Sequence, residues 1–354
     1  MKKKQSVLLG MSGGVDSTAA ALLLQQQGYA VTGATLRLQD EETEQKGNAA
    51  KDIADAKEAA RRLGIRHMVL DWREPFRRRV LDDFADAYSR GKTPNPCVVC
   101  NRRVKFPSLL EAADREGIDF IATGHYAAVL WDEALGRYRL RQGKYPKKDQ
   151  SYVLYSLPQS TLSRVLLPLG EYEKEEIRAI AAQAGLEVSK KADSQDICFV
   201  PDGDYHAFLE RHTGKSCAPG DFVDQQGNVL GRHRGIWHYT VGQRKGLGIS
   251  FGAPVFVKSI DAGSGRVVLS DNESLFSHSL VARDARWIDW EELREPVELL
   301  AKIRYTHTPA PATVYPLETG AVRVEFRQPQ RAITPGQAVV FYRDAFVAGG
   351  ALID

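Results

Sequence analysis

Residues 6–27 constrain the fold of this chain more than any other stretch. "SVLLG" is a short apolar run, "MSGGVDS" is a turn with two adjacent glycines, and "TAAALLLQQQ" is rich in alanine and leucine and is followed by Gly28. An apolar run of five bounded by a turn reads as a buried strand. The run Ser17–Gln27 reads as a helix whose left-handed cap is Gly28. A glycine turn that leaves a strand and opens a helix points backbone amides, and the positive end of the helix dipole, at an anion. Gly13 and Gly14 let the backbone approach such an anion, and Ser12 and Ser17 offer hydroxyl donors. The turn is not a Walker A loop, because no lysine precedes Ser17–Thr18, and it is not G-x-G-x-x-G. Asp16 beside an anion calls for a divalent metal such as Mg2+.

The strand–helix alternation continues. "AVTGATL" (30–36) is a strand, Ala49–Leu63 a helix ended by Gly64, and "HMVL" (67–70) a strand. Pro75–Arg90 is a helix ended by Gly91, Ser108–Glu116 a helix before Gly117, and "FIATG" (120–124) a strand. This order predicts an α/β domain, a doubly wound parallel sheet with ligands at the carboxyl ends of its strands. A further helix over 173–184 carries Ile177, Ile180, Ala181 and Ala184 on one stripe, with Gly185 behind it. Beyond about 200 the texture changes to short alternating runs and frequent glycines, which predicts a small central domain and a C-terminal all-β barrel. The expected divisions are 1–200, 201–280 and 281–354.

At 354 residues the chain is too long for one typical core. Its formal net charge of +3 excludes a general polyanion binder. Local basic clusters occur at Arg77–Arg79, at Arg102, Arg103 and Lys105, and at Lys144, Lys147 and Lys148. No apolar run approaches the roughly 18 residues of a membrane span, and the basic start "MKKKQSVLLGM" is too short in its apolar part for a signal peptide. Four cysteines do not make a disulfide scaffold in a chain of this length. A reducing cytoplasm and a monomer are expected.

The second informative stretch is "KTPNPCVVCNRRVKF" (92–106), with Cys97 and Cys100 as a C-x-x-C pair. Taken alone, the pair fits half a zinc clip, a redox dithiol, part of an iron–sulfur site or a sulfur carrier. Cys198 lies far away in "ADSQDICFV" (192–200), and Cys217 sits in the turn "GKSCAPGD". Sulfur transfer needs one thiol to carry a persulfide and a second to resolve it. Arg102, Arg103 and Lys105 are expected to lower the pKa of such a thiol.

The spelling S-G-G-x-D-S/T resembles the pyrophosphate loop of the ATP pyrophosphatases, a HUP-like fold. The resemblance implies adenylation of an oxygen by ATP with loss of pyrophosphate. Taken together, "GMSGGVDS", "GKTPNPCVVCN", "ATGHYA", "KKDQSYVL", "DSQDICFV", "HYTVGQRKGLGI" and "TPGQAVVFY" resemble, in order, the tRNA-specific 2-thiouridylase family. That resemblance implies 2-thiolation of the tRNA wobble uridine. Gly10, Met11, Ser12, Gly13, Gly14, Val15, Asp16 and Ser17 would hold the ATP phosphates, and Leu36 and Gly124 the adenosine. Cys198 would carry the persulfide and Cys100 would resolve it. Asn95, Pro96 and Cys97 would meet the uracil, and His125, Lys148, Asp149, Gln150, Arg304, Tyr305 and Gln337 would contact tRNA. The implied partners are tRNA and a sulfur-donor protein, either a cysteine desulfurase or a sulfur carrier.

One residue departs from the family's pattern. The position of Cys97 is an aspartate in "NPD-x-x-C", where it is a proposed general acid or base. Two alternatives stay open for the three thiols: a [4Fe–4S] cluster on Cys97, Cys100 and Cys198, or a structural zinc site. For the whole chain the alternatives are a pyrophosphate-loop tRNA-modifying or amidating synthetase and a non-catalytic RNA-binding module.

Overall fold

The computed structural model describes residues 4–39, 49–183, 197–200, 203–249 and 252–354. The expected cap at Gly185 and the start of the 192–200 motif lie outside them. The chain forms two compact units. The first comprises Met1–Val80, Cys97–Pro201 and Ala345–Val347, and the second Leu81–Pro96, Asp202–Asp344 and Ala348–Asp354.

The first unit is built on a five-stranded sheet of β1 (Ser6–Gly10), β2 (Ala30–Arg37), β3 (Arg66–Asp71), β4 (Phe120–Thr123) and β7 (Val165–Leu166), in the order β3-β2-β1-β4-β7. Every pairing in it is parallel. Helix α1 (Val15–Gln26), α2 (Ala49–Arg62) and α6 (Lys174–Gln183) contribute Ala20, Leu24, Ala56, Ala59, Ile177 and Ala181 to one core with Val7 and Leu9 of β1. Helix α5 (Phe106–Glu116) packs on β1 and β4, and its Leu109 is fully buried. The sequence wanders from β1 to β2 and β3 on one side and to β4 on the other. The point where strand order reverses therefore lies between β1 and β4, and crevices for ligands form at such a point.

The expected helix over 75–90 is broken. It runs as Arg73–Phe76, a π-helical turn Arg77–Leu81, and α3 (Asp82–Ser89). Phe76, Val80, Phe84 and Tyr88 are all buried and recur every fourth residue. That spacing exceeds the 3.6 residues of an α-helical turn, so one wider turn keeps the stripe aligned. The same device recurs in α4 (Pro96–Cys100), where a second π-helical turn (Asn101–Lys105) joins it to α5. A hairpin of β5 (Ala127–Asp132) and β6 (Arg137–Gln142), which the sequence reading passes over, pairs through β6 with Phe346 and Val347.

The second unit holds α7 (Tyr205–Thr213) and a four-stranded sheet of β8 (Gly220–Val223), β9 (Val229–His233), β10 (Phe256–Asp261) and β11 (Arg266–Ser270), in the order β10-β11-β8-β9. It also holds a barrel of β12 (Phe276–Trp287), β13 (Val297–Lys302), β14 (Ala310–Pro316), β15 (Val322–Arg331), β16 (Ala338–Arg343) and β17 (Phe346–Ile353). These run in the order β12-β15-β14-β13-β16-β17 and close through a β12–β17 pairing. Closure removes the exposed strand edges, and Val314, Val324, Val339 and Phe341 fill the interior.

Candidate active site

The turn between β1 and α1 is held from both sides. Met11 is buried; its amide donates to Ala34 O at 2.8 Å and its carbonyl accepts from Thr35 Oγ1 at 2.8 Å. Thr35 Oγ1 in turn pairs with His67 Nε2 at 2.9 Å. Gly13 has φ +70°, and a Cβ there would stand 2.3 Å from Asp52 O, so only glycine fits. Gly14 caps α1 with no side-chain hydrogen bond to the helix. Ser17 Oγ accepts from the Ser12 amide at 3.2 Å and donates to Gly14 O at 3.2 Å. The result is a preformed cradle of backbone and hydroxyls at the N-terminal end of α1, a ready anion site. Val15 is buried behind it.

Gly10 and Gly124 end the two strands that flank the switch point. A Cβ on Gly124 would meet Asp16 C and Ser17 N at 3.1 Å, so this glycine lets β4 close against the first turn of α1. Leu36 lies half-buried on β2, on the other side of β1. Asp16 is not left for a metal alone. Its Oδ1 accepts from Lys174 Nζ at 2.6 Å and from Tyr126 Oη at 2.7 Å.

Next to Gly124, His125 is buried, its Nδ1 pairs with Thr123 Oγ1 at 2.7 Å, and its ring stacks on Phe106 at 5.9 Å. Burial and the nearby Lys105 ammonium hold it well below the usual histidine pKa, so it is neutral. Lys105 also acts on Cys97, Cys100 and Cys198. The three thiols and His125, at the carboxyl end of β4, therefore share the Lys105 ammonium as a neighbour.

The expectation of thiols activated by their basic neighbours is corrected here. Desolvation raises all three pKa values; the Lys105 ammonium lowers them but does not prevail. Cys100 is buried, whereas Cys97 and Cys198 each present a side to water within otherwise crowded surroundings. Cys198 is pushed up to about 12, by desolvation first and then by the Cys100 and Cys97 sulfurs. Alkylation of Cys198 by iodoacetamide should accordingly keep accelerating above about pH 10, where an ordinary thiol of pKa about 8.5 has levelled off. A rate that is half-maximal near pH 8.5 and flat above about pH 10 would show an unperturbed thiol. All four cysteines are free. Among the described residues, no group of three or more His, Cys, Asp or Glu side chains is placed to hold a metal ion.

Three family models match the chain: a tRNA methyl transferase HUP domain over residues 5–202, a tRNA methyl transferase PRC-barrel domain over 206–271 and an aminomethyltransferase beta-barrel domain over 277–353. Full-length relatives are tRNA-specific 2-thiouridylase MnmA of Acetivibrio thermocellus, 49% identical over 99% of both chains, and that of Clostridioides difficile, 47% identical over 100% of this chain and 99% of the relative. The MnmA 1 protein of Clostridium botulinum (strain Loch Maree) is 48% identical over 100% of both. The chain belongs to the tRNA-specific 2-thiouridylase (MnmA) family.

The remaining residues singled out through the family's motifs fall into two kinds. Asp149 is buried and its carboxylate accepts from the Gly143 and Ser151 amides at 3.0 and 3.1 Å, so it shapes its own turn. Gln150 Oε1 accepts from the Tyr126 amide at 3.0 Å and thereby fixes the ring that binds Asp16. Gln337 Nε2 donates to Thr93 O at 2.7 Å, which ties down the segment leading to Asn95 and Pro96. Lys148 is half-buried, Arg304 donates to Arg331 O at 3.2 Å, and Tyr305 is exposed with the Lys302 ammonium 5.7 Å from its ring centre. The residue that sequence reasoning missed is Lys174. Its signal was its place on the apolar stripe, three residues before Ile177.

Among the described residues, no helix is long and apolar enough to cross a membrane.

Proposed function

We propose that this protein makes 2-thiouridine in tRNA, using ATP to activate the base and cysteine sulfur to replace its oxygen. The observation that carries this is the meeting, at the β1/β4 switch point, of an anion cradle with three thiols around Lys105 and His125. ATP binds with its β- and γ-phosphates in the loop Gly10–Ser17 and its adenosine between Leu36 and Gly124. Asp16 Oδ2, the oxygen not taken by Lys174 and Tyr126, would hold a Mg2+ ion that screens phosphate charge.

The wobble uridine leaves its stack to expose C2. Its O2 attacks the α-phosphate, pyrophosphate departs, and C2 now carries adenylate as a leaving group. The outer sulfur of a Cys198 persulfide attacks C2 and expels AMP. Cys100 then attacks the inner sulfur, leaving the thiocarbonyl on the base and a Cys100–Cys198 disulfide that an external dithiol must reduce. Release of hydrosulfide by Cys100 before attack on C2 gives the same balance. The [4Fe–4S] alternative has less support, because among the described residues no group of three or more His, Cys, Asp or Glu side chains is placed to hold a metal ion. Cys97, without a lowered pKa, is poorly suited to the base role of the family's aspartate.

Residues 1–200 supply the chemistry in this scheme, 201–280 a connecting domain and 281–354 the tRNA grip. Asn95, Pro96 and Cys97 face the uracil, and Lys148, Arg304 and Tyr305 are the side chains best suited to touch the RNA. His125, Asp149, Gln150 and Gln337 support them from behind. The protein acts as a cytoplasmic monomer supplied by a persulfide-bearing donor protein. Incubated with tRNA, ATP, Mg2+ and such a donor, it should yield 2-thiouridine with one AMP and one pyrophosphate per sulfur. Turnover with ammonia in place of sulfur would make it an amidating enzyme instead.

A further inference from the structure

Lys174 breaks two local rules. It is buried, which lysine seldom is unless paired. It is also the first residue of α6, where the helix dipole disfavours a cation. Packing of Ile177 and Ala181 into the α1 core pins it there, with its ammonium 2.6 Å from Asp16 Oδ1. Departures of this kind concentrate at functional sites. Asp16 itself stands in the first turn of α1, beside the cradle, and the Tyr126 phenol binds the same oxygen. An uncompensated carboxylate there would repel the anion that the loop is shaped to hold.

We propose that Lys174 is the charge-compensating and positioning residue of the pyrophosphate site: its ion pair with Asp16 cancels the loop's one negative charge and leaves the amides and dipole of α1 free to bind the departing pyrophosphate. This rests on the reading of the loop as a pyrophosphate cradle. Lys174 does not touch the reacting atoms. It acts through Asp16, and so its loss should fall on phosphate binding and leave affinity for tRNA unchanged.

The test is binding of inorganic pyrophosphate to the full chain, without Mg2+, by calorimetry. Lys174→Gln should bind it on the order of 30-fold more weakly than wild type, because the substitution leaves Asp16 unpaired beside the ligand. Lys174→Arg should stay within about fivefold, and the pair Asp16→Asn/Lys174→Gln should return to within about fivefold of wild type, since neither charge remains. If Lys174→Gln does not fold, the double variant, which contains no unpaired charge, decides the matter by itself. Wild-type-like binding by folded Lys174→Gln, or weak binding by the double variant, overturns the inference while the cradle stands. No binding by wild type overturns both.

Discussion

Cys198→Ser is expected to lower 2-thiouridine formation by at least about a thousandfold, as loss of a nucleophile does, while pyrophosphate release from ATP in the presence of tRNA continues. The two halves should separate, because the proposal assigns adenylation to the β1–α1 cradle and sulfur transfer to the thiols. Cys100→Ser should be comparably defective but for a different reason. With a 35S-labelled donor it should accumulate label on Cys198, whereas Cys198→Ser should acquire none there. The raised thiol pKa values sharpen the point. With its pKa raised, Cys198 as the proposed carrier would take sulfur from a donor that brings an electrophilic persulfide or a compensating charge. A persulfide is more acidic than a thiol, so loading itself favours the next step. Label on Cys100 in place of Cys198 would reverse the two roles. Iron-bearing protein that loses activity when the iron is removed would replace the relay by a cluster.

Gly13→Ala is the second large effect. The new Cβ would stand 2.3 Å from Asp52 O, at φ +70°, so the loop must move. A displacement near 1 Å at a positioning element costs on the order of a hundredfold in rate. Pyrophosphate release should fall by about that factor, with tRNA affinity unchanged. Gly28→Ala is the matched control. Gly28 also has positive φ, +93°, but nothing lies within 4 Å of its Cβ position. Its substitution should therefore cost roughly 1 kcal/mol of stability and leave ATP use intact. Equal damage from both would mean that the loop is sensitive to fold stability alone.

How much was legible beforehand follows from where each signal resides. Strand β1, the loop and α1 are encoded locally, in a run of apolar residues, two glycines and a helix former, and the fold reproduces them within two residues. Gly124 was placed at a strand end by the same pattern, and its contact with α1 follows from sheet order. The π-helical turns were not legible, because a four-residue apolar spacing is compatible with an ordinary helix until a neighbour demands alignment. The thiol pKa values were misjudged because sequence shows the nearby cations but not the burial that outweighs them. Asp149, which the resemblance implies as a tRNA contact, has a buried carboxylate that accepts from the Gly143 and Ser151 amides, partners the linear sequence does not reveal. The pairing of Asp16 with Lys174 was not legible, because the two residues stand 158 positions apart.

The central claim is that O2 of the uracil becomes an oxygen of AMP. Substrate tRNA carrying 18O at O2 of the wobble uridine tests it directly. Mass spectrometry of the products should find one 18O in the phosphate of each AMP, none in pyrophosphate, and sulfur at C2. Recovery of the label in water, with unlabelled AMP, would contradict adenylation of the base and with it the role assigned to the cradle at the head of α1.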